Sequence, residues 1–208
     1  MGFRATRPFG WLHVDITQVQ TVEDGIQKVA FVRDNFSTAI LHYKSTDGKA
    51  GSEFITELFK ETFEMYDIYS KELPVNILSD GGPENKGVFL DWLDELNLPL
   101  IVRKVTALSD VFPFSNSMSE RIHSIYKSEF MQGKLSQNKI THLKNLNDFQ
   151  PFHNNHRYPI QFHGYTPLEI LDGKIPDKTR YKNHILNARK KRVKTNQHHS
   201  ACVLNLGC

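Results

Sequence analysis

The hydrophobic pattern near the start of the chain predicts three antiparallel strands in a meander. Residues 11–19 alternate between apolar and polar positions, which is the period of a half-buried strand. Leu12, Val14 and Ile16 fall on one side, and His13, Asp15 and Thr17 fall on the other. Apolar runs at residues 26–32 and 38–43 follow after turn signals and predict the second and third strands. Asp15 is therefore expected in the interior of the first strand.

Helical and strand periods then alternate. A helix of about twenty residues is predicted from Ser52, where apolar positions recur at helical spacing. A short strand at residues 74–79 follows and ends directly before Asp80. A helix at residues 85–96 and a strand at 98–102 come next. Because helices between successive strands imply parallel crossovers, we expect an α/β fold whose five-stranded mixed sheet has three antiparallel and two parallel strands.

The following part of the chain is predicted to be mainly helical. Residues 104–115 have no clear period and are expected to form a loop, after which a helix carries Glu120. A further helix is predicted at residues 138–155. Thr166 and Glu169 have the spacing of a capping box, with a proline at the first helical position between them, and predict a short helix near residue 170.

Charge is distributed unevenly along the chain. The net charge is only +3, but residues 174–199 contain nine Lys or Arg and a single acid. Two readings of this basic tail stay open: binding to phosphate backbones, or a solvated disordered end. We divide the chain into an N-terminal lead-in at 1–10, a core at 11–173 and a basic tail at 174–208.

Several classes of protein are not favoured by the sequence. No apolar run approaches the roughly 18 to 20 residues of a membrane span, and the first residues lack the apolar segment of a signal peptide. The two cysteines, Cys202 and Cys208, provide no disulfide framework. No glycine-rich phosphate loop followed by Lys and Ser or Thr is present, which argues against nucleotide hydrolysis. We expect a soluble, cytoplasmic protein.

Three acids stand out by their positions: Asp15, Asp80 and Glu120. If the fourth strand lies parallel beside the first, Asp15 and Asp80 become neighbours, and a helix packed over that edge can bring Glu120 to both. Crowded carboxylates repel one another unless cations neutralise them. Oxygen ligands of this kind select Mg²⁺ or Mn²⁺, and a pair of such ions supports in-line phosphoryl transfer. Lys127 lies two helical turns after Glu120, where it is placed to contact a phosphate.

Other interpretations of these residues are open. Ser117 and Glu120 also match a capping box, which would make the glutamate structural. Glu84 is a spare acid near the proposed centre and would serve if the choice of ligands is wrong. Three histidines are interpreted as solvent-exposed residues at a polar helix end rather than as metal ligands: His153, His156 and His163.

Several segments resemble the catalytic core of DDE transposases and retroviral-type integrases, and above all bacterial insertion-sequence transposases of the IS3 and IS481 type. The resemblance lies in residues 11–17, 79–85, 116–120, 126–129, 152–159 and 164–169. It covers about residues 8–172, and the ordered set of motifs is more specific than any one of them.

The resemblance implies a ribonuclease-H-like fold and DNA strand-transfer chemistry. Asp15, Asp80 and Glu120 would be the catalytic, metal-binding triad for two Mg²⁺ or Mn²⁺ ions, and Lys127 would correspond to the family lysine that contacts DNA. The arginines and lysines at 189–192 would grip backbone phosphates; they are Arg189, Lys190, Lys191 and Arg192. The expected partners are element ends, a target duplex and further copies of the chain, in a nucleoid-associated bacterial protein with no membrane partner.

Two features depart from the family pattern. Between Asp80 and Glu120 lie 39 residues, more than the family's usual spacing. No convincing helix-turn-helix or zinc-binding segment precedes Trp11, so a separate or missing part would recognise the element ends. Two alternative functions stay open: a catalytically silent DNA-binding or assembly module, and a nuclease of the same fold that cleaves without joining.

Overall fold

The fold is a mixed β-sheet flanked by helices. The computed structural model describes residues 4–71, 74–79, 82–96, 102–106 and 117–205. The strands are β1 Trp11–Gln20, β2 Ile26–Asp34, β3 Ile40–Thr46, β4 Val75–Ser79 and β5 Val102–Thr106. Their order in the sheet is β3-β2-β1-β4-β5. The first three pair in antiparallel fashion, whereas β4 is parallel to β1 and β5 is parallel to β4. The mixed α/β fold expected from the sequence is confirmed.

Helices cover both faces of this sheet. Their bounds are α1 Ser52–Met65, α2 Val88–Glu95, α3 Ser117–Ser124, α4 Lys139–Pro151, α5 Pro167–Leu171 and α6 Lys182–Asn205. A π-helical segment at Ile125–Phe130 continues α3, and another at Phe152–His156 continues α4. None of the described helices is long and apolar enough to cross a membrane.

The alternation in β1 divides the core into two parts. Leu12 and Val14 belong to a cluster with α1 and α2, in which Phe59 and Phe89 are fully buried. On the opposite face, Phe31 packs with residues of α3 and α4. Both faces of β1 are therefore covered, and the polar side of the strand lies beneath α3.

Several elements differ in their bounds from the predicted positions, and two of these differences are the largest. The first helix was expected to continue to about Ser70, but α1 ends at Met65 because Asp67 takes a left-handed conformation with φ of 48°. Of the last strand, expected at residues 98–102, only Val102 lies within the described residues. β5 is described from Val102 to Thr106, so residues 104–106 of the predicted loop belong to it. β5 pairs with β4 alone and lies at the sheet edge, where Arg103 and Lys104 are compatible with a strand.

The basic tail contains a helix that sequence periodicity did not predict. α6 runs through the 189–192 cluster, and the side chains of residues 182–197 are exposed. By contrast, α5 has the predicted capping box, with the Thr166 side chain accepting from the Glu169 N–H and Pro167 at the first position.

Asn154 joins the end of the α4 region to the start of β3. Its side-chain oxygen accepts a hydrogen bond from the Ile40 N–H at 2.9 Å, and its side-chain amide donates to the Ile40 carbonyl at 2.8 Å. β3 is an edge strand, so this side chain satisfies backbone groups that no further strand reaches.

We predict that Asn154→Ala lowers the free energy of unfolding by about 2–3 kcal/mol, since it removes two hydrogen bonds and leaves the buried Ile40 N–H without an acceptor. The matched control is Asn155→Ala, which changes an exposed asparagine and should shift the value by less than about 0.5 kcal/mol. Urea denaturation measures both. Equal losses for the two variants would contradict this role for Asn154.

Candidate active site on β1 and α3

Asp15 lies in the middle of β1 on the face that α3 covers. It is paired across the strands with Phe31. Its side chain is only 18% exposed, and Oδ1 accepts a hydrogen bond from the Ile16 N–H at 2.9 Å. The alternation of the strand thus directs a carboxylate into a half-buried position between the sheet and a helix.

An aromatic cluster holds α3 and its continuation on this face. Tyr126 is fully buried, and its ring centroid lies 6.3 Å from that of Phe31 and 4.9 Å from that of Phe149. Ile122 and Ile125 fill the same cluster at helical spacing. Glu120 lies in the first turn of the helix and is exposed.

His123 is the residue of α3 that approaches Asp15. Its Nδ1 lies 3.8 Å from Asp15 Oδ2, which is too long for a hydrogen bond. Burial, followed by the positive charges of Lys127 and Arg33, lowers the pKa of His123 to about 4. The ring is therefore neutral at neutral pH, and the contact is not an ion pair. Because Glu120 precedes His123 by three residues, the two lie on neighbouring parts of one helix face.

Sequence reasoning missed His123. The only signal was its spacing of three residues after Glu120, which also suits an ordinary core position. Among the described residues, its buried Nε2 has no hydrogen-bond partner.

Lys127 reaches the same part of β1. Its Nζ donates a hydrogen bond to Thr17 Oγ1 at 3.0 Å. Thr17 is two residues beyond Asp15 and therefore lies on the same face of the strand. The structure thus brings Asp15, His123 and Lys127 to one region, with Glu120 on the same helix.

Two other acids were considered for this site, Asp80 and Glu84. Asp80 lies outside the described residues; β4 ends directly before it and is parallel to β1, with His13 opposite Leu78. Glu84 is half-buried in a short 3₁₀ turn. Within the described ranges, which omit residue 80, no three His, Cys, Asp or Glu side chains form a metal-binding group.

The expectation of solvent-exposed histidines after α4 is wrong for His153, while His156 is exposed. His153 is fully buried and its Nε2 hydrogen-bonds the Thr38 carbonyl at 3.0 Å. Burial, together with the charges of Arg33 and Arg157, lowers its pKa to about 3, so it packs as a neutral ring. Because its neighbours in sequence are mostly polar, the burial of this side chain could not be predicted from the sequence pattern.

The basic cluster at 189–192 lies on α6. Four successive residues of an α-helix are about 100° apart, so these side chains surround the helix rather than form one stripe. They carry positive charge on most sides of an exposed helix.

The fold is similar to that of a class of solved proteins, the catalytic cores of integrases and transposases. No family model matches the sequence, and no curated protein matches it. A chain of the simian T-cell lymphotropic virus intasome, solved with PP2A regulatory subunit B56 gamma, is similar with a TM-score of 0.66 and 15% identity. The match covers 86% of this chain and 62% of that one, so the present chain spans less than two thirds of it.

Two further structures have the same fold. The HTLV-2 integrase catalytic core domain, solved with magnesium as a dimer, is similar with a TM-score of 0.59 and 13% identity, over 82% of this chain and all of that one. The catalytic domain of Mos1 mariner transposase is similar with a TM-score of 0.51 and 13% identity, over 68% of this chain and 69% of that one. At these identities the likeness establishes the fold.

We predict that Lys127→Met raises the pKa of His123 by roughly half a unit, because it removes a nearby positive charge and retains most of the side-chain stem. NMR spectra of the imidazole nitrogens between about pH 3 and pH 7 measure the pKa, because this range includes the expected midpoint of protonation. Lys139→Met removes a lysine that pairs with Asp47 instead and serves as the control. An unchanged pKa of His123 in the Lys127→Met variant would contradict this electrostatic interaction.

Proposed function

We propose that this chain is the ribonuclease-H-like catalytic core of a DNA transposase or integrase, which cleaves a phosphodiester and joins a DNA 3′-hydroxyl to a target strand. The observation that carries the proposal is the position of α3. It lies across the middle of β1, with His123 beside Asp15 and Lys127 bonded to Thr17. The similarity of fold to integrase and transposase cores supports this function.

In this proposal, Asp15, Asp80 and Glu120 form a carboxylate triad that holds Mg²⁺ or Mn²⁺. The donor chemistry fits, because carboxylate oxygens are the ligands these cations prefer, and Asp15 is held at a half-buried position by its strand. β4 is parallel to β1 and ends directly before Asp80, and this pairing supports a position for Asp80 near Asp15. When bound, a pair of divalent cations activates an attacking oxygen and stabilises a leaving oxygen.

The remaining residues position DNA. Lys127 offers an ammonium group at Thr17, two residues beyond Asp15, for a phosphate oxygen, and the neutral ring of His123 lies beside Asp15 without adding charge. Arg189, Lys190, Lys191 and Arg192 on α6 would contact backbone phosphates independently of sequence. No covalent protein intermediate is needed, since water and then a DNA hydroxyl serve as nucleophiles. DNA-dependent association of several copies, and a separate part that recognises element ends, belong to the same proposal.

The experiment measures Mn²⁺ binding and DNA chemistry in the same variants. We expect Mn²⁺ to raise the melting temperature of the unaltered protein and to support nicking of supercoiled plasmid. Asp15→Asn and Glu120→Gln should lose the thermal shift and at least about 100-fold of the nicking rate, given that even outer-shell changes at metal sites cost 10–100-fold. The control, Glu64→Gln, alters an exposed acid on α1 and should keep both.

Joining is tested separately with a labelled duplex that ends in a 3′-hydroxyl and a plasmid target. A joined product supports strand transfer, whereas plasmid nicking without joining would favour the nuclease. Absence of both the Mn²⁺ shift and nicking would overturn the enzymatic proposal in favour of a silent DNA-binding module.

A further inference from the structure

A cavity of about 290 Å³ lies beside the candidate active site and is lined by four arginines. They come from separate parts of the chain: Arg4 from the N-terminal segment, Arg33 from the end of β2, Arg121 from α3 and Arg157 from the segment after α4. Asp15 and Glu120 are not part of its lining. Within the described part of the chain, no carboxylate lines the cavity.

Arg33 forms the inner wall of this arginine cavity. The residue is only 3% exposed, and one terminal nitrogen of its guanidinium donates a hydrogen bond to the Thr38 carbonyl at 3.1 Å. Burial and the positive charges of Arg157 and Arg121 lower the pKa of Arg33 to about 9, whereas Asp34 raises it. Arg33 is still protonated at neutral pH, so three cations act on one another across a confined space.

The acids next to these arginines already have hydrogen-bond partners. Asp34 accepts hydrogen bonds from the Phe9 N–H at 2.8 Å and from both the N–H and the hydroxyl of Ser37 at 2.6 Å. Glu129 forms a two-point contact with Arg157 at 2.9 and 3.0 Å. Arg121 is exposed and has no ion pair with a described residue. Glu129 therefore offsets the charge of Arg157, while Arg4, Arg33 and Arg121 keep the cavity positive because no carboxylate among the described residues lines it.

Two arginines are fixed in position before any ligand arrives. Arg157 is oriented by Glu129, and the Arg4 guanidinium lies 4.9 Å above the Phe162 ring while donating to the Phe36 carbonyl at 3.1 Å. A planar guanidinium held in a fixed orientation donates two parallel hydrogen bonds to two oxygens of one phosphate. A volume of 290 Å³ is about ten times the share of one water molecule in the liquid, so it has room for a phosphate and part of an attached sugar.

We propose that the arginine cavity is a phosphate-binding site, distinct from the carboxylate site, that takes a phosphate group of a DNA strand. Its place in the molecule supports this source. Arg121 directly follows Glu120 along α3, and Arg33 is paired with His13, two residues from Asp15 on the same face of β1. A strand that passes the carboxylate site can therefore present a neighbouring phosphate to the cavity. The assignment to DNA rests on the proposed function, but the anion site itself does not.

The first experiment measures binding of inorganic phosphate to the full chain by calorimetry, with no divalent cation present. We expect a dissociation constant in the millimolar range for the unaltered protein and at least a fivefold weaker one for Arg121→Gln, which changes an exposed side chain and should not affect folding. Arg180→Gln removes an exposed arginine that stacks on Tyr165 and should bind like the unaltered protein. Equal binding by all three, or none by the unaltered protein, would overturn the site.

The second experiment separates the two sources of phosphate by measuring the affinity for a 30-base-pair duplex at several salt concentrations. Loss of one phosphate contact should reduce the slope of log affinity against log salt by about 0.9 in Arg121→Gln, and not in Arg180→Gln. Phosphate binding with unchanged DNA slopes would overturn the DNA assignment and indicate a site for free phosphate. Glu120→Gln should retain phosphate binding even if it loses Mn²⁺ binding, so failure of this inference and failure of the proposed function are distinguishable.

Discussion

The packing of α3 against the polar face of β1 is the contact on which the candidate site depends. Phe31 provides its centre: the ring lies 5.9 Å from Phe149, 6.3 Å from Tyr126 and 6.1 Å from His123, between ring centroids. The same phenylalanine is the cross-strand partner of Asp15. Apolar burial thus determines where the glutamate helix lies relative to the carboxylate, and the polar groups take positions that the aromatic core has already defined.

This arrangement buries polar side chains under a helix, and two of them, His13 and His123, are neutral rings, whereas Arg33 keeps its charge. His13 is almost fully buried and its Nε2 lies 2.7 Å from the Asn35 side-chain amide, while burial and Arg33 lower its pKa to about 3. His123 is neutral for a similar reason. Two imidazoles near Asp15 therefore fill space without contributing positive charge.

The sequence predicted those elements whose environment repeats with a simple period. β1 was recognised because its two faces differ, and α5 because Thr166 and Glu169 form a local cap whose partners are three residues apart. Residues 104–106 of β5 were predicted to be loop because an edge strand with one neighbour does not need an apolar run, and the charged Lys104 broke the strand pattern. α6 has no apolar stripe, so the periodicity of apolar residues could not predict a helix there.

The chemical site was predictable only to the extent that it follows strand geometry. Alternation placed Asp15 on the face of β1 opposite its apolar residues, and helical spacing related Glu120 to Lys127. Neither rule reveals that His123 and Arg33 converge on this region, because those contacts depend on how α3 crosses β1 and on long-range pairing with β2. The positions of the inward-facing histidines and of the arginine cavity are tertiary properties.

The end of β2 illustrates why net charge says little about local potential. Arg33 and Asp34 are adjacent in sequence and of opposite charge, but strand alternation sends them to opposite faces of the sheet. The Asp34 carboxylate is occupied by three hydrogen-bond donors, two of them from Ser37, that form the turn towards β3. The Arg33 guanidinium faces the side of α3 and joins arginines from distant segments. Over most of its length this chain has more acids than bases, and it nevertheless gathers four arginines around one cavity, while its turn chemistry holds the Asp34 carboxylate on the other face.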